Sequence, residues 1–145
     1  MPAEASQNFS NHTRYDPLYH FFVLPVFTIT LIATIVHLIR RPCLHSALLV
    51  IVAVAAIVAV FKIRIYAIKV QDRVIRLEER LRLATLLDPA LRPRILELTE
   101  KQLIALRFAS DAELPALAAR ALNEKLAPQE IKKAVQHWRP DYWRV

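Results

Sequence analysis

Residues 18–39 read LYHFFVLPVFTITLIATIVHLI, and residues 44–61 read LHSALLVIVAVAAIVAVF. Neither stretch contains a formally charged residue. A helix rises about 1.5 Å per residue, so each stretch is long enough to cross a hydrocarbon core of roughly 30 Å. We therefore predict an all-α fold that begins with a transmembrane hairpin, in which helix 1 (18–39) and helix 2 (44–61) are joined by a short external loop, 40–43.

The charged residues lie mainly after these two stretches. The chain has a net charge of +7, and residues 62–94 hold nine basic and four acidic residues. With two spans both ends share one side, and the excess of basic residues on that side places the N-terminal segment 1–17 and the tail in the cytoplasm. A basic segment beside a bilayer attracts anionic headgroups. The candidate contacts are Lys62, Arg64, Lys69, Arg73 and Arg76.

The second span is expected to continue as a long cytoplasmic helix, because no proline occurs between Leu44 and Leu87. Apolar residues recur at alternating intervals of three and four along 62–87, a juxtamembrane basic, amphipathic and coiled-coil-like helix. They are Ile63, Ala67, Val70, Val74, Leu77, Leu81 and Ala84. The larger members, Ile63, Val70, Val74, Leu77 and Leu81, form a candidate oligomerisation stripe.

Two interpretations of this stripe stay open. In a parallel coiled coil with a second copy of the chain, Arg73 would face Glu78 of the other copy. Alternatively, the stripe packs on later helices of its own chain. Within one helix, the i,i+4 spacing predicts ion pairs from Asp72 to Arg76 and from Glu78 to Arg82.

Residues 88–145 are predicted to form a small module of three helices. Pro89 and Pro93 end the long helix. Thr99 with Gln102 forms one capping box, and residues 110–113 form a second. Pro128 fits the first turn of a third helix.

The composition excludes several classes of site. The chain contains no glycine, which excludes glycine-dependent phosphate loops, dinucleotide fingerprints and nucleophile elbows. The one cysteine, Cys43, excludes an internal disulfide and a multi-cysteine metal site. His37 and His45 lack a carboxylate neighbour in sequence that would fix a metal-binding tautomer, so we interpret them as interfacial polar residues. We expect no catalytic residue, cofactor or metal ligand, and no enzyme.

A small oligomeric pore or channel subunit is one alternative function. Thr30, Ala33, Thr34 and His37 recur at helical spacing and form a small, polar stripe on the first span. In a pore this stripe would line the channel. The spans contain no acidic residue that would favour conduction.

A membrane-tethered regulator that binds nucleic acid is the other alternative. Residues 98–106, LTEKQLIAL, resemble the opening helix of helix-turn-helix regulators of the response-regulator type. The likeness ends there, because the turn lacks glycine and the later helix offers chiefly Lys132, Lys133 and Gln136. We therefore expect the lipid bilayer and a second copy or another membrane protein as partners, rather than nucleic acid.

Nearly the whole chain resembles a family of small bacterial two-span membrane proteins grouped under a domain of unknown function. The likeness is carried by QNF at 7–9, NH at 11–12, DPLYHFF at 16–22, KVQDRVIRLEERLR at 69–82 and the run 98–122. It implies the bacterial inner membrane as the location and supplies no catalytic or ligand residue. The sequence thus predicts a membrane-anchored accessory or interaction protein that self-associates through its cytoplasmic helix.

Overall fold

The computed structural model describes residues 7–12 and 16–141. Within these ranges the chain is helical and forms no strand, apart from an isolated bridge between Ala109 and Trp138. The predicted all-α class is confirmed. The described residues form two compact units, which we call the apolar unit (16–69) and the helical unit (7–12 and 70–141).

The apolar unit is built from two helical segments. A π-helix, Leu18–Val23, leads into helix α1, Leu24–Arg40. Helix α2 follows as Leu44–Leu86, and its part up to Lys69 belongs to this unit. Pro25 lies in the first turn of α1, at the junction with the π-helix. The segment Leu18–Arg40 and α2 are both long and apolar enough to cross a membrane, with mean hydropathies of 2.4 and 2.7 in their most apolar windows.

Ser46 organises the short link between α1 and α2. Its buried hydroxyl lies 2.7 Å from the carbonyl oxygen of Arg41 and accepts the amide of Cys43 at 3.1 Å. The Ser46 hydroxyl, in the first turn of α2, thus accepts a hydrogen bond from an amide N–H that has no carbonyl partner within the helix. This local bonding lies in a link of only three residues between α1 and α2.

Helix α2 runs without interruption to Leu86 and ends just before Asp88-Pro89. The Asp88 carboxylate accepts the amide of Ala90 at 2.9 Å, which closes a turn. A 3₁₀-helix, Arg92–Glu97, follows with Pro93 in its first turn. The two prolines predict the break in the helix, whereas no sequence pattern predicts the 3₁₀-helix that follows it.

The helical unit contains α3 (Glu100–Leu106), α4 (Leu114–Asn123) and α5 (Pro128–Ala134). The predicted capping box at the start of α3 is present, with Thr99 accepting the amide of Gln102. Leu83 of the long helix and Leu87, which follows it directly, belong to the same buried core as these helices. The core of the predicted module at 88–145 therefore begins on α2. Helix α4 buries Leu114, Leu117, Ala118, Ala121 and Leu122.

The N-terminal segment 7–12 packs within the helical unit. The Gln7 side chain accepts the amide of Asp141 at 2.9 Å and donates to its carbonyl oxygen at 3.4 Å. The His12 ring lies 5.7 Å from the ring of Phe108 and 5.8 Å from that of Trp138, measured between centroids. Residues that precede the first apolar helix thus contact residues that follow the second.

Candidate functional site

The stretch of α2 within the helical unit has an apolar face that the chain leaves open. Val70, Val74, Leu77 and Leu81 are 49–63% exposed, and Ile63, in the apolar unit, is also exposed. We call these five residues the apolar stripe. Their spacing places them along one side of a helix with 3.6 residues per turn.

The opposite side of α2 faces the C-terminal helices. Ile75, Glu79, Leu83 and Leu87 are buried, and the two leucines belong to the core of the helical unit. A helical turn of 3.6 residues places this side roughly half a turn away from the apolar stripe. The later helices of the chain therefore occupy the other face of α2 rather than the predicted stripe.

A buried carboxylate lies at the centre of the covered side. Glu79 is only 2% exposed, and its oxygens lie 3.2 Å from Nη1 of Arg82 and 3.6 Å from Nη1 of Arg139. Burial raises the pKa of Glu79, and the attraction of Arg82 and of Arg139 offsets only part of that rise. Arg82 also donates to the carboxylate of Asp111 and to the carbonyl oxygen of Ala109, both at 2.6 Å. This guanidinium thereby ties α2 to the loop between α3 and α4.

The ion pairs along α2 differ from those predicted within one helix. Arg82 turns to the buried carboxylate at i−3 rather than to Glu78. Arg76 forms an ion pair with Glu100 of α3, and its Nε donates to the backbone oxygen of Asp72 rather than to the side chain. Packing of the C-terminal helices brings these new partners within reach, and they displace the weak i,i+4 pairs.

A small cleft of about 70 Å³ opens beside the buried carboxylate. Arg107 and Asp141 line it and form an ion pair at 3.2 Å. The volume suits a few water molecules, and the lining charges of both signs compensate one another, so we interpret the cleft as part of the structural charge network. Among the residues that the structure describes, no three His, Cys, Asp or Glu side chains gather to hold a metal ion.

The five predicted headgroup contacts fall into two groups. Lys62, Lys69 and Arg73 are exposed on α2. Arg64 and Arg76 have side chains that are only 15% and 19% exposed, and both form ion pairs within the chain. Of the five predicted contacts, only Lys62, Lys69 and Arg73 therefore face outward.

Comparison with known families covers the chain as a whole. The family model described as a family of unknown function, DUF6526, matches residues 2–145. The chain belongs to DUF6526. Comparisons with curated proteins and with solved structures find no match. The predicted resemblance to a family of unknown function is confirmed for this DUF6526 member.

Two carboxylates of this DUF6526 chain have contacts that the sequence did not predict. Glu79 lies opposite the apolar stripe. Its position in the heptad, away from the a and d positions, was the one sequence signal that it lies on a different face of α2. Glu113 was expected to complete a capping box with Ser110, but only half of that box forms. Its carboxylate accepts the amide of Ser110 at 3.2 Å, whereas the Ser110 hydroxyl has no hydrogen-bond partner among the described residues. Its carboxylate also accepts the amides of Gln136 at 3.1 Å and His137 at 3.3 Å. Glu113 thus fastens the segment after α5 to the start of α4, a contact that no local pattern indicates.

Proposed function

We propose that this DUF6526 chain is a membrane-anchored interaction protein that self-associates through the apolar stripe of α2. The observation that carries the proposal is the position of that stripe, opposite the face that the chain's own helices cover. The helical unit would then be presented at the cytoplasmic surface of the bacterial inner membrane. No catalytic role is part of the proposal.

The surroundings of the two apolar helices support membrane anchoring. In their most apolar windows, 0% and 11% of the residues are buried. The core helix of a soluble protein would be mostly buried, because exposed apolar surface costs about 25 cal/mol per Å² in water. A bilayer would cover both helices without any contribution from the rest of the chain.

Contacts inside the helical unit support a two-span topology. Gln7 precedes both apolar helices and Asp141 follows both, yet their side-chain and backbone groups are hydrogen-bonded. Two crossings of the membrane would bring the chain back to the side from which it started, in agreement with these contacts. The excess of basic residues beside the spans favours the cytoplasm for that side.

A second copy of the chain is the partner that best fits the apolar stripe. Val74 and Leu77 occupy neighbouring a and d positions of a heptad pattern, the arrangement that favours parallel dimers. Arg73 and Glu78 are exposed at the flanking g and e positions, where opposite charges would meet across a parallel pair. Anchoring two copies in one membrane gives them a common orientation and a high effective concentration.

The exposed basic residues would hold the start of this coil close to the membrane. Lys62, Lys69 and Arg73 point outward from α2 just beyond the predicted second span. Each basic residue near an anionic surface contributes roughly 1 kcal/mol of attraction. The anionic headgroups of the inner leaflet are therefore the second partner that we propose.

The two alternative functions gain no support from the contacts. The hydroxyls of Thr30 and Thr34 donate to carbonyl oxygens of their own helix at 2.8 and 2.9 Å, which satisfies them without a water-filled channel. Lys132 and Lys133, the principal cations of the supposed recognition helix, lie against residues of the N-terminal segment. Their contacts stabilise the helical unit rather than extend towards a nucleic acid.

Cysteine cross-linking in isolated membranes tests the proposed association. In a Cys43→Ala background, Leu77→Cys would place two thiols at the centre of a parallel coil, within the short Cα separation that a disulfide needs. We expect a covalent dimer after mild oxidation. The matched control, Lys69→Cys, lies on the same exposed helix outside the stripe and should give little dimer. Equal cross-linking of both variants, or none, would contradict the proposal.

Thiol labelling of intact cells tests the topology separately. An impermeant reagent should modify Cys43 in the wild type. It should not modify Thr99→Cys in the Cys43→Ala background, because that residue is proposed to be cytoplasmic. The reverse pattern would show that the orientation is inverted.

A further inference from the structure

The apolar unit contains a groove of about 320 Å³ between the start of the first helical segment and α2. Its wall is mainly apolar and includes Val23 and Val60, while Asp16, Tyr19 and Arg64 supply polar groups. The volume is at the lower end of the range of ligand pockets, roughly 300–1,000 Å³. An apolar wall with a few polar groups is typical of a binding site for an amphipathic molecule.

Two of the polar side chains in this groove retain hydrogen-bonding capacity. The Tyr19 hydroxyl is buried and has no hydrogen-bond partner among the residues that the structure describes. Nη1 of Arg64 lies 3.8 Å from Oδ2 of Asp16, which suffices for an ion pair but exceeds the length of a hydrogen bond. Buried hydroxyls almost always have a partner, and a charged pair at this separation leaves room for a bridging group.

The position of the groove along the chain points to the headgroup region of a membrane. Asp16 and Tyr19 lie at the beginning of the first candidate span, and Arg64 lies just after the predicted end of the second. The Arg64 guanidinium is 5.2 Å from the centroid of the Tyr19 ring, so the cation is held beside an aromatic ring. Tyrosine and arginine are typical of the boundary between hydrocarbon and water.

We propose that this groove binds one aminophospholipid, a lipid whose headgroup carries both a phosphate and a primary ammonium. Arg64 and the Tyr19 hydroxyl would donate hydrogen bonds to phosphate oxygens, and Asp16 would accept from the ammonium. The apolar wall would contact the first methylene groups of the acyl chains. The inference rests on the proposed membrane anchoring of the chain.

The pair of opposite charges favours an aminophospholipid over phospholipids with a purely anionic or a choline headgroup. A purely anionic headgroup would bring its phosphate to Arg64 but would leave the Asp16 carboxylate facing negative charge. A choline headgroup carries no N–H that could donate to that carboxylate. This site therefore differs from the exposed basic residues, which attract anionic lipids without distinguishing their structure.

Native mass spectrometry of the full chain in detergent tests the site with defined lipids. Phosphatidylethanolamine, phosphatidylcholine and phosphatidylglycerol with identical acyl chains are added at equal concentrations. We expect phosphatidylethanolamine to be retained in preference to both others. Arg64→Gln and Asp16→Asn should each weaken its retention about tenfold, the loss expected for one charge-assisted hydrogen bond.

Matched variants separate this site from general effects on the fold. Asp16→Asn keeps an acceptor for the amide of Tyr19, which Oδ1 of Asp16 accepts at 3.1 Å, and asparagine is equally suited to that position. Tyr19→Phe should cause a smaller loss of retention, whereas Tyr66→Phe removes an exposed hydroxyl of α2 and should cause none. Arg80→Gln, at an exposed basic residue of α2 outside the groove, should also leave the preference unchanged.

Three results would overturn the proposal. They are equal or better retention of phosphatidylglycerol, an unchanged preference in Asp16→Asn, or displacement by soluble glycerophosphoethanolamine at the same concentration as the lipid. Membrane fractionation and the Leu77→Cys cross-link report on anchoring and association independently. If the lipid preference were absent while membrane anchoring and the Leu77→Cys cross-link were intact, only the proposed lipid site would be contradicted.

Discussion

The two faces of α2 after Val70 are both apolar, yet the chain covers only one of them. Ile75, Leu83 and Leu87 are buried in the helical unit, whereas the apolar stripe is about half exposed or more. Burial of apolar surface stabilises the folded state. A partner that covered the open face would therefore add stabilisation of the kind that the C-terminal helices already give the covered face. The difference shows that the helical unit needs α2 for its core, and that the outer face of α2 is available to a second chain.

The largest expected effect on the free energy of unfolding comes from truncating a buried leucine on the covered face of α2. Leu83→Ala should lower the free energy of unfolding by roughly 2–5 kcal/mol, because this fully buried leucine would leave a cavity in the core. Unfolding of the detergent-solubilised full chain, followed by tryptophan fluorescence, measures the loss. The control is Leu81→Ala on the open face, which should cost less than about 0.5 kcal/mol in a Val74→Asp/Leu77→Asp background that does not associate. Similar costs at both positions would contradict the contrast between the faces.

A somewhat smaller loss should follow removal of the cation nearest the buried carboxylate. Arg82→Ala should cost about 3 kcal/mol, since it leaves Glu79 buried without its closest positive partner. Adding Glu79→Gln should recover part of that loss by removing the uncompensated charge. Arg80→Ala, at an exposed neighbour on α2, should have little effect on the same unfolding measurement. A double variant no more stable than Arg82→Ala would show that the pair acts through packing instead.

The smallest effect is a dependence of stability on pH. The pKa of Glu79 is raised in the folded chain, so the folded state holds this proton to a higher pH than the unfolded state does. Preferential binding of this proton stabilises the folded state. This stabilisation is fully present below the ordinary glutamate pKa of about 4.3 and is lost as the pH rises through the pKa of Glu79 in the folded chain. Relative to Glu79→Gln, the wild type should therefore lose stability over that interval. If the free energy of unfolding changed equally with pH in both proteins over that interval, this account would be contradicted.

Local patterns in the sequence were sufficient for much of the fold. The absence of charge over two long apolar stretches predicted the helices that form the candidate spans. Thr99 and Gln102 predicted a capping box that is present at the start of α3. Each of these features depends on residues within a few turns of one another, where periodicity and hydrogen-bonding capacity are directly readable.

The features that escaped prediction depend on distant parts of the chain. Gln7 and Asp141 are hydrogen-bonded although 134 positions separate them. Arg139 approaches the buried Glu79 from a distant part of the sequence, and the groove in the apolar unit combines Tyr19 with Arg64. Heptad spacing identified the apolar stripe, but only the packing of the C-terminal helices shows which face of α2 remains open.

The most direct test of self-association is the molar mass of the solubilised full chain, measured by light scattering with the detergent contribution subtracted. We predict that the wild type is at least dimeric and that Val74→Asp/Leu77→Asp shifts it to the mass of one chain, 16.7 kDa. Lys69→Asp produces the same change in net charge outside the apolar stripe and should retain the wild-type mass. A monomeric wild type, or an unchanged mass in the double variant, would contradict association through the open face of α2.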